Sequence, residues 1–328
     1  MNSRNQTIDN LRGFSLIVMI LTHATGYFPS GTLSFPIWNW SNFSVQIFVF
    51  CSVYLFIKKY EDKAMQVITF LKKRFIRLLI PYYLFLIFFL PAIYFAEPWK
   101  VTPRYIKYSL AVIGGVDINW LVLLFLSLTI VLPIFLWSYR KVKVIFWMFF
   151  ICAFGSSVYL LFQDVNIPYK WIMWLPWSLL LFFTLFYVKF EEKKRILFGG
   201  FLFSLVIFVV SYMYTFMTYG ESTVFFHNKY PPNIYYLSYG IVVFFLLLFF
   251  EKYLFRQSFI QRTVTFFSTH SYSIYFIHYT ILIVAAVYIQ QFHLTWWSLF
   301  LIVFILSWVT QSLFNFIRKK FALLTKWT

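Results

Sequence analysis

The chain has 328 residues, 62% of them hydrophobic and 12% charged, and a mean hydropathy of +0.76. A soluble domain of this length has too little interior for so much apolar side chain and carries about a quarter charged residues, so composition excludes a water-soluble protein. The net charge of +18 invites a nucleic-acid partner, but the basic residues fall between apolar runs, where membrane topology uses them, and no nucleic acid is expected.

A membrane-crossing helix needs ~20 mostly apolar residues. Ten runs qualify: residues 11–28, 43–58, 78–96, 119–138, 144–163, 171–188, 196–218, 234–251, 270–290 and 296–317. The first is too long for a signal-peptide core and no small-x-small cleavage site follows it, so it reads as a retained helix. The second is short, and the third carries Pro81 and Pro91. Between them, residues 59–77 have the character of an amphipathic surface helix. Residues 219–233 form a loop closed by Pro231 and Pro232. With the N-terminus inside, all but five of the 28 basic residues fall in cytoplasmic segments, Arg4 and Lys326 among them; Lys100, Arg104, Lys107, Lys170 and Lys229 remain outside. That alternation predicts an even number of spans. The expected fold is an all-α integral membrane protein with about ten transmembrane helices and both termini cytoplasmic. No repeat, low-complexity tract or soluble domain interrupts it, so residues 1–328 form one membrane unit in contact with the lipid bilayer.

Within this apolar chain a few residues stand out. Arg12 and His23 share the first helix, eleven residues apart. At ~100° per residue they lie within about 20° of each other on one face, with a rise of about 16 Å. The arginine is then at the cytoplasmic edge and the histidine near mid-membrane. Arg12 is equally well read as a topological anchor or as a functional cation. A mid-membrane histidine is costly and usually faces an interior cavity. His278, eight residues into its span, reaches a similar depth from the same side and reads as either packed or catalytic. His270 sits at the cytoplasmic interface, and His227 and His293 lie outside. The run KKRFIRLLIPYY puts Arg74 and Arg77 at i,i+3, where guanidinium groups serve lipid headgroups or bind a phosphate-rich ligand.

The ten acids are Asp9, Glu61, Asp62, Glu97, Asp117, Asp164, Glu191, Glu192, Glu221 and Glu251. All fall in loops or at span ends, which counts against a proton-coupled carrier with a carboxylate in the membrane. Trp38, Trp40, Trp99, Trp120, Trp171 and Trp174 are expected on the outer side, as an interfacial belt or as platforms for sugar rings. There is no P-loop, HExxH, nucleophile elbow or metal-ligand spacing, and no metal is expected. Cys51 and Cys152 both lie in apolar runs, which argues against a structural disulfide.

The segment IDNLRGFSLIVMILTHA, residues 8–24, resembles the opening of the acyltransferase family 3 proteins, integral membrane O-acyltransferases whose first helix carries an arginine, ten residues, then a histidine; here these are Arg12 and His23. FVFCSVYLFIKK, residues 48–59, is similar to the family's second-helix ending, with Val53 in place of its usual glycine. KRFIRLLIPYY, residues 73–83, matches the Arg-x-x-Arg segment through Arg74, Arg77 and Pro81, and SYSIYFIHYTIL, residues 271–282, matches the late helix through His278. INWLVLLF, residues 118–125, is a loose version of the family's His-Leu-Trp-Phe segment and lacks its histidine. The fused hydrolase-like domain of some members is absent from this sequence.

The resemblance implies transfer of an acyl group, most often acetyl, from cytoplasmic acyl-CoA as co-substrate to a hydroxyl of a cell-surface glycan or its lipid-linked precursor. Arg12, Arg74 and Arg77 would hold the CoA phosphates. His23, with His278, would do the chemistry, as a general base or as a covalent acyl carrier. Two other classes compete: an exporter of polysaccharide or precursor without acyl transfer, and a structural subunit of a glycan-synthesis complex. The Phe- and Lys-rich composition fits a low-GC bacterial plasma membrane.

Overall fold

A computed structural model describes residues 5–163, 168–220 and 223–324; Arg4, Asp164, Glu221 and Lys326 lie outside them. The helices are α1 (Gln6–Thr25), α2 (Ser34–Trp40), α3 (Ser44–Tyr60), α4 (Val67–Ala96), α5 (Pro103–Leu110), α6 (Asn119–Lys141), α7 (Lys143–Phe162), α8 (Tyr169–Ile172), α9 (Trp174–Trp177), α10 (Leu179–Phe190), α11 (Lys194–Tyr219), α12 (Ile234–Leu254), α13 (Ser258–Thr269), α14 (Ser271–Ala286) and α15 (Trp296–Leu324). The described residues form no strand longer than the isolated bridge Lys229–Pro232. Among the described residues, eight helical segments are long and apolar enough to cross a membrane, and the protein is an all-α integral membrane protein. The two other expected spans correspond to α1, whose first turns carry Asp9 and Arg12, and to α14, which is apolar but only 16 residues long.

Two boundaries differ from expectation. Residues 67–77 are not a separate surface helix but the first turns of α4, which runs unbroken through Pro81 and Pro91. Each proline removes one backbone N–H, a loss that membrane helices tolerate where neighbours re-satisfy the freed carbonyl. The stretch before α14, expected as a connection, contains the amphipathic helix α13.

The chain divides into two compact units. The first comprises residues up to Ser41, Pro81–Pro103 and Leu254 onward. Here α1 packs along α13 and also meets α2, α14 and α15. Asn5 caps α1, its Oδ1 accepting from the Ile8 N–H at 3.2 Å. The α1–α13 contact depends on Gly13: a Cβ there would lie 1.9 Å from the Val264 carbonyl oxygen. Only a residue without a side chain lets the two backbones approach this closely.

The second unit comprises Asn42–Ile80 and Arg104–Tyr253. Its core is aromatic: Phe50 packs on Phe244 at 4.1 Å between ring centroids, and Phe182 is surrounded by Phe135, Phe146, Phe149 and Phe150. At one end, Arg140 donates to the Tyr60, Glu61 and Lys63 carbonyls, satisfying the C-terminal end of α3. Lys58–Glu191 and Lys189–Glu61 ion pairs join the same helix ends. By contrast, only 22% of the most apolar stretch of α7 and 17% of that of α11 are buried within the protein. Such surfaces are sustainable where lipid, not water, covers them.

At the other end of this unit, the loop before α12 buries Lys229, 7% exposed. Burial pushes its amine from the ordinary 10.5 down to about 7. The unfolded chain therefore holds a proton between about pH 7 and 10.5 that the folded protein lacks, and this group's effect is to make stability rise with pH across that window.

Two outcomes follow. Gly13→Ala should destabilise the protein by about 1–3 kcal/mol, seen as a lower unfolding midpoint in detergent. Lys229→Met should raise the thermal midpoint at pH 7 by at least ~2 °C, an advantage that shrinks towards pH 10; an equal offset at both pH values would contradict the burial of a neutral amine.

Candidate active site

The first unit brings two histidines together. His23 lies on α1 and His278 on α14, and the His23 Nδ1 is 3.0 Å from the His278 Nε2. The ring centroids are 5.2 Å apart, close to the nitrogen–nitrogen distance plus the two ring radii, and the planes differ by 12°, so the bond runs close to the plane of both imidazoles. His278 is fully buried and its Nδ1 lies 2.9 Å from the Ile274 carbonyl oxygen.

These contacts determine the tautomers of the neutral rings. A carbonyl oxygen only accepts, so the His278 Nδ1 carries a proton and its Nε2 holds a lone pair. The His23 Nδ1 must then donate to that lone pair. What remains on His23 is Nε2 with its lone pair, the form in which an imidazole accepts a proton or attacks a carbonyl. A backbone carbonyl, one turn back on α14, thus orients two rings in series. Tyr279 meets the edge of His23 at 5.8 Å between centroids and stacks on Phe89 at 5.6 Å, which encloses the pair in aromatic side chains.

Arg12 is engaged by its surroundings. Its Nη2 pairs with Asp9 Oδ1 at 3.0 Å, its Nε donates to Ser268 Oγ at 3.0 Å, and Ser268 donates to the same Asp9 oxygen at 2.8 Å. Asp9 is 4% exposed; a carboxylate buried so deeply requires such partners. The triad ties α1 to α13. An open groove of about 460 Å³ lies beside the start of α1, lined by Gln6, Gln261, Arg262, Thr265, Phe266, Thr269 and His270. Gln6 is 17 residues from His23 on α1, about 25 Å along the helix axis.

Arg74 and Arg77 belong to the second unit. Arg74 Nη2 donates to Ser52 Oγ on α3 at 2.5 Å. Two of the quoted sequence segments, the second-helix serine and the Arg-x-x-Arg stretch, therefore meet at this bond. Arg77 is exposed. The tryptophans divide as well: Trp40, Trp99 and Trp171 are exposed, whereas Trp120 is buried beside Lys229. Sequence reasoning missed the Asp9–Arg12–Ser268 triad because Ser268 lies 256 residues from Arg12 on a helix that was not foreseen. It also treated Lys229 as an ordinary loop cation. The one signal available was its position between an aromatic run and a double proline, FFHNKYPP.

Because His278 orients His23, His278→Ala should lower acyl-transfer turnover at least about tenfold while leaving the KM for the acyl donor within twofold. A comparable loss of donor binding would assign His278 to packing instead.

No curated protein and no solved structure matches the chain. A family model described as an acyltransferase domain, Acyl_transf_3, matches residues 5–311, a span that holds α1, α14 and both histidines, and the chain belongs to that membrane acyltransferase family.

Proposed function

We propose that the protein transfers an acyl group, acetyl in the first instance, from cytoplasmic acyl-CoA to a hydroxyl of a cell-surface glycan or its lipid-linked precursor, at a bacterial plasma membrane. The observation that carries the proposal is the His23–His278 pair, whose hydrogen bonding puts the lone pair of the neutral His23 ring on Nε2.

The chemistry follows from that nitrogen. His23 Nε2 takes the proton of the acceptor hydroxyl as its oxygen attacks the thioester carbonyl. The positive charge that develops on His23 is held by its Nδ1–H bond to the neutral His278 ring. Collapse of the tetrahedral intermediate breaks the carbon–sulfur bond, and the proton on His23 passes to the departing CoA thiolate. The products are an ester and free CoA, and the imidazole returns neutral. Arg74 and Arg77 are proposed for the phosphates of the donor, Arg77 being exposed and Arg74 oriented by Ser52. Arg12 is already paired with Asp9, so its part is proposed as holding α1, and with it His23, in place, with a contact to donor phosphate as the second element.

The test uses host cells that lack the gene and express wild type or His23→Ala at matched membrane abundance, with base-labile esters on purified surface polysaccharide counted by NMR. Loss of the esters by about 10²-fold or more, with polymer export unchanged, is the expected outcome, and the ester identifies the acyl group. Equal acylation in both strains would overturn the enzyme assignment of His23 and leave export or scaffolding as the protein's role.

A further inference from the structure

The groove of about 460 Å³ beside the first turn of α1 lies wholly within the first unit, and no step of the proposed chemistry uses it. Its level in the membrane follows from α1. That helix has 20 residues, a rise of about 30 Å, which matches the hydrocarbon thickness of a bilayer. A recess beside its first turn therefore lies at the level of the lipid head groups.

The lining fixes the charge that the groove accepts. Arg262 is exposed, and no carboxylate among the described residues pairs with it. No acid is among the residues that line the groove. A guanidinium group stays charged and offers a planar fork that fits phosphate oxygens. The other polar atoms suit a hydroxylated group. Thr265 Oγ accepts from Gln6 Nε2 at 3.3 Å, and no described residue takes its own proton. The Gln261 side-chain amide makes no hydrogen bond to a described residue and offers both donors and an acceptor.

The groove adjoins a surface of the opposite character. In its wall, His270 Nε2 lies 3.1 Å from Asn315 Nδ2 on α15, and Phe266 packs 5.9 Å from Trp308 of the same helix between ring centroids. This stretch of α15 leaves Val309, Leu313 and Phe316 each more than half exposed. Lys319 follows Asn315 by one turn on the same side of the helix and is exposed as well. A cationic polar recess beside an uncovered apolar helix surface matches an amphiphile with an anionic head. We infer that the groove binds an anionic glycerophospholipid of the phosphatidylglycerol kind, with its phosphate on Arg262, its head-group hydroxyls on Gln261 and Thr265, and its acyl chains along α15. A zwitterionic head group is disfavoured, because its ammonium would meet no acid there. The inference does not depend on the acyl-transfer chemistry.

The experiment is native mass spectrometry of the delipidated full-length protein in detergent, offered equal amounts of phosphatidylglycerol and phosphatidylethanolamine with matched chains. Wild type should retain one phosphatidylglycerol per chain, at least about tenfold more tightly than phosphatidylethanolamine. Arg262→Gln should bring the two lipids within about twofold of each other; Arg262 is exposed, so its replacement does not threaten the fold. Thr265→Val should weaken phosphatidylglycerol severalfold. Arg195→Gln removes an exposed charge on α11, in the second unit, and should leave the preference unchanged. That variant separates the groove from the general attraction of a basic protein for anionic lipid. Inorganic phosphate and CoA, as probes of a soluble occupant, should fail to displace the lipid at equal concentration. Equal retention of the two lipids by wild type, a preference that survives Arg262→Gln, an equal loss in Arg195→Gln, or displacement by phosphate or CoA would overturn the inference.

Discussion

A polar side chain inside a membrane protein has no water to fall back on, and every such group must find its partner within the fold. That constraint explains the first unit more fully than its apolar packing does. Asp9 is tolerable at 4% exposure because Arg12 and Ser268 both reach it. Ser268 is on α13, so the triad also fixes α13 against α1, and Gly13 permits the close approach that brings it into reach. His278 is tolerable when fully buried because one ring nitrogen meets the Ile274 carbonyl and the other meets His23. The requirement that hides these groups also sets the tautomer of His23.

The histidine pair thus has a direction. The backbone of α14 is an acceptor that cannot titrate, and it imposes a tautomer on His278, which imposes one on His23. In a carboxylate–histidine pair the acid holds the ring through a charge. Here a neutral carbonyl and a neutral imidazole do so, which avoids a buried carboxylate that would require a cation of its own. This agrees with a chain whose ten acids number barely a third of its 28 basic residues.

The second unit shows the same rule at one end and a departure from it at the other. At one end, Arg140 satisfies the carbonyls at the close of α3, and ion pairs link Lys58 to Glu191 and Lys189 to Glu61. At the Lys229 end, the buried amine has a single hydrogen bond, to Asn42 Oδ1, and burial lowers its basicity. Stability alone favours an apolar residue at position 229.

The sequence by itself determined the class of protein, the order of its long apolar segments and the residues that stand out in them. Hydropathy and basic-residue placement depend on the solvent, which acts on each segment separately, so they are legible locally. For the same reason the i,i+11 spacing put Arg12 and His23 on one face of α1, and their quoted segments pointed to the family. What only the tertiary structure decided is which distant groups meet. Sequence spacing gives the position of His278 along α14 but not its neighbour, and the contact with His23 joins positions 255 residues apart. The bond from Ser268 to Asp9 and the cluster around Lys229 are likewise made by separate segments. The continuity of α4 through Pro81 and Pro91 was hidden as well, because local propensity counts the lost N–H of a proline and not the environment that compensates for it. Hydrogen bonds between helices are set by packing geometry, which no single segment encodes, and the tautomer of His23 depends on two of them in succession.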